Sequence, residues 1–263
     1  MSCRCSSGII KRALKEGTEN VLSFNFTEVF MDKDIFKKGL ESEKIELNDK
    51  QEKDFETFSG LLTEWNKKMN LTAVTDPAEI SVKHFLDSIV PAFKAEIKEN
   101  SKIIDVGTGA GFPGVPIKIM RRDLDFTFLD SLNKRITFLN EVSSVLGFEK
   151  AEFIHGRAEE LGRNLKYREK FDYAVSRAVA PLRILAEYCI PFLKKGGIFI
   201  AFKSYDIGEE INDAKPMIGN LGGCIKEICE VGIPCSDIVR RLVVIEKTAA
   251  TPSAFPRRAN KIK

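Results

Sequence analysis

The sequence predicts an α/β fold: a mostly parallel, doubly wound sheet of seven strands that closes in an antiparallel terminal hairpin and follows a helical N-terminal region. Three observations predict it. From Lys102 onward, short apolar runs alternate with stretches of helical periodicity, the pattern of a parallel sheet covered by helices. Upstream, apolar residues recur at steps of three and four instead. Between the two patterns, four glycines fall within the eight residues from Gly107 to Gly114, after a strand and before a helix.

Residues 1–30 lack clear periodicity and open on Cys3-Arg4-Cys5-Ser6-Ser7-Gly8, so a poorly ordered extension is expected there, with Met31 as the start of the folded protein. Residues 31–99 read as helical. Asn48 with Gln51 three residues on makes a capping box, and Phe55, Phe58, Leu61, Leu62, Trp65 and Met69 line one apolar face behind it. Asn70-Leu71-Thr72-Ala73 interrupts the pattern. Asp76-Pro77 starts another helix, whose Ile80, His84 and Ile89 share a stripe.

Strands are expected at 102–106, 126–130, 151–155, 173–176 and 198–203, with helices near 113–121, 134–146, 182–192 and 206–221. Two last strands, near 225–231 and 238–246, join through Gly232-Ile233-Pro234 and add an antiparallel edge. The chain is thus expected to divide into 1–30, the helical region 31–99, the α/β domain 100–247 and a basic tail 248–263.

Composition excludes several classes. With 263 residues, 43% apolar and 30% charged, the chain can bury a large core and is neither disordered nor collagen-like. It contains no run of 18 apolar residues, and its N-terminal stub Ile9-Ile10 is too short for a secretory signal, so a cytoplasmic protein is expected. Net charge is +3, but the last sixteen residues carry Arg257, Arg258, Lys261 and Lys263 without an acid. That tail reads either as a flexible strap that touches phosphates or as a solvated, frayed terminus. The six cysteines show no metal-knuckle spacing and lack a nearby histidine, so reduced thiols are expected and no metal site, with Cys224, Cys229 and Cys235 as small residues of the sheet.

Four successive strand ends carry small or polar residues: the glycine turn, Asp130, Gly156-Arg157-Ala158-Glu159, and Ser176-Arg177-Ala178. In a parallel sheet they open on one edge, where open α/β sheets bind ligands. Asp130, 25 residues beyond Asp105, is placed to accept both hydroxyls of a ribose. Gly109 lies mid-loop, where a ligand needs the room a side chain would fill. A dinucleotide fold would seat a pyrophosphate in this turn. Asp105, two residues before the first glycine, repels phosphate and suits a cation, which favours S-adenosylmethionine with its sulfonium and ammonium. The same features argue against a nicotinamide-dependent oxidoreductase, the rival from another enzyme class.

Longer stretches carry a resemblance. The segments Asp105-Val-Gly-Thr-Gly-Ala-Gly-Phe-Pro-Gly-Val-Pro-Ile-Lys118, Leu129-Asp-Ser-Leu-Asn-Lys-Arg-Ile-Thr-Phe-Leu139, Gly156-Arg-Ala-Glu-Glu160 and Ser176-Arg-Ala-Val-Ala180 resemble the RsmG (GidB) family. So do Glu64-Trp-Asn-Lys-Lys-Met-Asn-Leu-Thr-Ala73 and Lys83-His-Phe-Leu-Asp-Ser88. The similarity runs from about Met31 to Lys261. It implies a Rossmann-like class I methyltransferase that uses S-adenosylmethionine to methylate N7 of a guanine in the decoding region of bacterial 16S ribosomal RNA. It also implies cofactor contacts at Gly107, Phe112, Ala158, Glu159 and Arg177, to which the loop and ribose arguments add Gly109 and Asp130. The partner is then 16S ribosomal RNA or the small ribosomal subunit; separately, no membrane partner and a monomer are expected. The residues alone leave a protein or small-molecule acceptor open.

Guanine N7 bears an in-plane lone pair and no proton, so its methylation needs alignment and exclusion of water rather than a general base. Positive charge develops on the purine, which a carboxylate would favour. Asp87 beside His84, or Asp105, is a candidate for that role, and Asn70 completes the catalytic candidates. His84 reads equally as a buried, hydrogen-bonded histidine. Asn66 and Asn70, with Lys67 and Lys68, either read RNA or end a helix, and Trp65 reads as core. His155 is a strand-end cap or a site residue. Arg121-Arg122 and Arg240-Arg241 are phosphate contacts or solvated pairs.

Overall fold

The computed structural model describes residues 30–177 and 179–262. The extension expected over 1–30 therefore lies, apart from Phe30, outside the described residues. Helix α1 (Lys33–Ser42) starts at Asp32, whose carboxylate accepts the Ile35 N–H at 3.0 Å. Helix α2 (Asp49–Met69) opens with the capping box read from Asn48 and Gln51 and ends at Asn70 in the left-handed conformation. Helix α3 (Pro77–Glu79) is capped by Asp76 and runs on through a π-helical segment, Ile80–Leu86, into α4 (Asp87–Lys94).

These helices form one layer against the helices of the α/β part. Phe36, Phe55, Phe58 and Phe85 pack with one another and reach Phe112 and Phe138 of the α/β part, with Phe58 centroids 5.5 Å from Phe112 and 6.4 Å from Phe138. Each such aromatic pair adds about 0.5–1.5 kcal/mol beyond its area burial. Trp65 packs half-buried on Phe138, as core.

The sheet has seven strands: β1 (Lys102–Val106), β2 (Asp125–Asp130), β3 (Ala151–His155), β4 (Phe171–Arg177), β5 (Leu193–Lys203), β6 (Gly223–Gly232) and β7 (Val239–Lys247). Their order is β3-β2-β1-β4-β5-β7-β6, and only the pairings of β7 are antiparallel. Helices α5 (Gly114–Met120), α6 (Asn133–Leu146), α7 (Ala158–Leu161), α8 (Leu182–Cys189) and α9 (Gly208–Asn220) connect the strands. From β1 the chain winds outward to β3 and then returns to lay β4 on the other side of β1. The carboxyl ends of β1 and β4 flank that switch point, the crevice where such sheets take ligands.

The expected terminal hairpin supplies the antiparallel edge, and within it β7 lies between β5 and β6, antiparallel to both. Its Leu242, Val243 and Ile245 are buried, whereas β6 is exposed over most of its length, so the more apolar strand takes the two-sided position. The tail is neither a free strap nor frayed. The Arg168 guanidinium donates to the carbonyls of Thr251, Pro252 and Phe255, Phe255 packs on the core, and the Arg257 guanidinium grips the buried Glu187 at 2.7–3.0 Å.

Cysteines also differ from expectation. Cys189 is buried in α8, but Cys224 is exposed, Cys229 half-buried, and Cys235 sits in the β6–β7 turn with φ of 59° rather than in the sheet.

Candidate functional site

The loop after β1 is shaped by close approach. A Cβ added at Gly107 would come within 2.6 Å of Val179 Cγ2, one at Gly111 within 2.5 Å of Val115 Cγ2, and one at Gly114 within 2.6 Å of Asp105 Oδ2 and of Phe128. Gly109 differs. Its φ is +61°, and the nearest atom to an added Cβ is Gly107 O at 4.0 Å, so its open side faces space the protein leaves unfilled.

Two buried acids hold the loop. Asp105 Oδ2 accepts the Thr108 hydroxyl at 2.8 Å and the Gly114 N–H at 3.0 Å, while Oδ1 is buried with no partner among the described residues. Burial pushes this carboxyl up to about 7. Asp130 Oδ2 accepts the Gly109 N–H at 2.9 Å and Oδ1 the Leu132 N–H at 2.8 Å, with Arg135 Nη1 at 3.1 Å. Asp130 therefore ties the mid-loop amide to the end of β2. Beyond β3, Ala158 and Glu159 begin α7, with Glu159 buried and 3.7 Å from exposed Arg157.

The wall facing the helical layer is aromatic and ionic. Phe112, joined to Pro113 by a cis peptide bond, stacks on the His84 ring at 4.3 Å and 15°. The Arg177 guanidinium lies 5.2 Å from the Phe112 ring centroid and donates to Asp87 Oδ2 at 2.8 Å. Asp87, almost fully buried, also accepts Arg240 Nε at 2.7 Å and Nη2 at 2.9 Å. His84 lies in the π-helical segment, and Asp87 opens α4 directly after it.

Of the residues singled out from sequence, the structure gathers Gly107, Gly109, Asp105, Asp130, Phe112, Arg177, His84 and Asp87 around one crevice. Asn70 is not among them; it is exposed at the end of α2. The Asn66 amide clamps the Thr72 backbone with two 2.9 Å bonds, closing the loop rather than facing solvent. His155 caps the Ser131 carbonyl at 3.1 Å. Arg121 pairs with Asp123 and Arg122 with Asp54, so neither pair member is a simple solvated cation. Two contributors carried no sequence assignment as such: Thr72, whose Oγ1 is 2.8 Å from His84 Nε2, and Arg240 as the partner of Asp87. Positions 87 and 240 are far apart in the chain, and only the fold joins them.

A model of the GidB family, described as rRNA small subunit methyltransferase G, matches residues 51–233. The ribosomal RNA small subunit methyltransferase G of Clostridium perfringens strain 13 is 51% identical over 230 residues, covering 87% of this chain and 96% of its own. The protein of the same name from Thermoanaerobacter sp. strain X514 is 53% identical over 208 residues, 79% of this chain and 87% of its own. The chain belongs to the rRNA small subunit methyltransferase G family. Among solved structures, a SAM-dependent methyltransferase from Aquifex aeolicus shares the fold at a TM-score of 0.50 and 16% identity, over 67% of this chain and 97% of that one. Membership makes the chain a methyltransferase.

Within this family member, two groups at the crevice titrate in opposite senses. Burial pushes His84 down to about 3 from an ordinary 6.5, with the Arg177 charge adding to the effect. Between about pH 4.5 and 6.5 the folded protein then holds a neutral His84 and a protonated Asp105, while the unfolded chain holds both charged. Proton counts match, so the pair leaves wild-type stability nearly flat with pH in this window. Asp105→Asn isolates the histidine, for which the unfolded chain binds more protons; stability should rise with pH by about 1.4 kcal/mol per unit. His84→Gln isolates the acid, for which the folded state binds more; stability should fall with pH at a similar rate. Urea midpoints at three pH values read both slopes, and parallel slopes in the two variants would contradict the assignment.

Proposed function

We propose that this chain transfers a methyl group from S-adenosylmethionine to N7 of a guanine in 16S ribosomal RNA of the small subunit, working as a monomer in the cytoplasm. The observation that carries the donor half is the open side of Gly109 beside two buried acids, one with an unpartnered oxygen. That donor set suits a cationic, phosphate-free nucleoside, whose positive charge would favour the ionised form of Asp105. Gly107, Gly109 and Phe112 would line the donor, Asp130 would face the ribose while tying the loop, and Ala158, Glu159 and Arg177 would complete the walls. S-adenosylmethionine supplies an electrophilic methyl carbon on a sulfonium.

The protein's remaining work is orientation. His84 is held neutral and buried against Phe112, and Asp87 is engaged by two guanidiniums, so neither is poised as a general base. A proton-free acceptor such as N7 asks for none. The clamp of Asn66 on Thr72, and of Thr72 on His84, fixes the rim where the acceptor enters and water must leave. Among the described residues no helix is long and apolar enough to cross a membrane.

Calorimetric titration with S-adenosylmethionine and with NAD tests the donor: saturable binding of the first alone is expected, and preference for NAD would overturn the reading. Tritium transfer from labelled donor onto small ribosomal subunits tests the acceptor; label is expected in the RNA, and label in protein would overturn it.

A further inference from the structure

Beyond the crevice, the same sheet edge carries an aromatic side chain that the donor site does not use. Tyr205 follows β5 by two residues and is 54% exposed. It stands beside the loop through a chain of contacts. Val179 packs on Gly107, and Lys203 Nζ donates to the Ala180 carbonyl at 3.1 Å. Lys203 is the register partner of Arg241, whose guanidinium lies over the Tyr205 ring at 4.7 Å.

Arg241 is arranged for that ring. Its Nη2 reaches Glu230 Oε2 at 3.2 Å on the neighbouring strand, and its Nε is buried with no hydrogen-bond partner in the described structure. A cation held against an aromatic face leaves one donor unmatched while more than half of the tyrosine stays open. Leu132 and Val179, two further exposed apolar residues, follow the carboxyl ends of β2 and β4 on this same edge. Unpaired bases of single-stranded RNA are bound by this pairing of an aromatic plane with a guanidinium.

We propose that Tyr205, backed by Arg241, is a stacking platform for an unpaired base flanking the target guanine. The proposal rests on the RNA reading above and adds a determinant of acceptor binding that lies outside the donor site. The platform acts on acceptor affinity alone, since it touches none of the groups that hold the loop.

Steady-state methylation of small-subunit RNA, with saturating donor, tests it in the full chain as wild type, Tyr205→Ala and Tyr205→Phe. Tyr205→Ala is expected to raise the KM for RNA about tenfold, the scale of losing one base–aromatic stack. Tyr205→Phe, which keeps the ring, should restore it, and the donor Kd and the melting temperature should stay at wild-type values in both. An unchanged KM for Tyr205→Ala, a phenylalanine variant as impaired as the alanine one, or a donor Kd that weakens in step with KM would each overturn the platform. A wild type that methylates no RNA overturns the functional reading and the platform together; a wild type that does, alongside an unimpaired Tyr205→Ala, overturns the platform alone.

Discussion

Gly109→Val is expected to abolish binding of S-adenosylmethionine while the chain still folds. Among the described residues the nearest atom to a Cβ at this position is Gly107 O at 4.0 Å, so the new side chain meets no protein wall. It would occupy the space assigned to the donor. The backbone cost is real but limited: a non-glycine residue at a φ of +61° costs about 1–2 kcal/mol, and somewhat more when branched. Calorimetry should show no measurable heat of binding, and thermal unfolding should stay cooperative with a lowered midpoint. Gly107→Ala makes the opposite control, since its Cβ would strike Val179 at 2.6 Å and perturb the fold itself. Undiminished affinity in Gly109→Val would place the donor elsewhere.

Asp87→Ala is expected to cost about 3–5 kcal/mol of stability, because it leaves Arg177 and Arg240 facing each other without their shared carboxylate. Removing both charges of a buried pair can be nearly neutral, but removing one partner strands the other. Here two guanidiniums are stranded at once, one of them over Phe112. Urea unfolding measures the effect. A loss below about 1 kcal/mol would show that water or another acid already compensates the arginines. The candidate carboxylate thus reads as the pin that joins the helical layer, β4 and β7 at the crevice, and its substitution should reduce activity mainly through the fraction folded.

Most of the architecture was legible because it rests on local signals. The capping box at Asn48 and Gln51, the glycine turn after β1 and the strand-end positions of Asp130 and Arg177 all follow from spacing along the chain. The placement of β7 inside β6 was not legible as a position, since pairing order depends on which strand is buried on two faces. Asp105 and Asp130 could be placed at the loop from sequence, yet their hydrogen bonds to Thr108, Gly114 and Gly109 depend on side-chain rotamers within the folded turn. The tail was read as basic and free because charge shows in sequence, whereas the buried Glu187 that binds Arg257 does not announce its burial. Likewise the π-helical turn that carries His84, just ahead of Asp87, has no residue signature that distinguishes it from an ordinary helix in the sequence.

Mass mapping of small-subunit RNA after incubation with S-adenosylmethionine and either wild-type protein or Gly109→Val tests donor site and acceptor atom together. A single new 7-methylguanosine in 16S ribosomal RNA is expected with the wild type and none with the variant. A methyl group found on another base atom, or an equal yield of 7-methylguanosine from the variant, would contradict it.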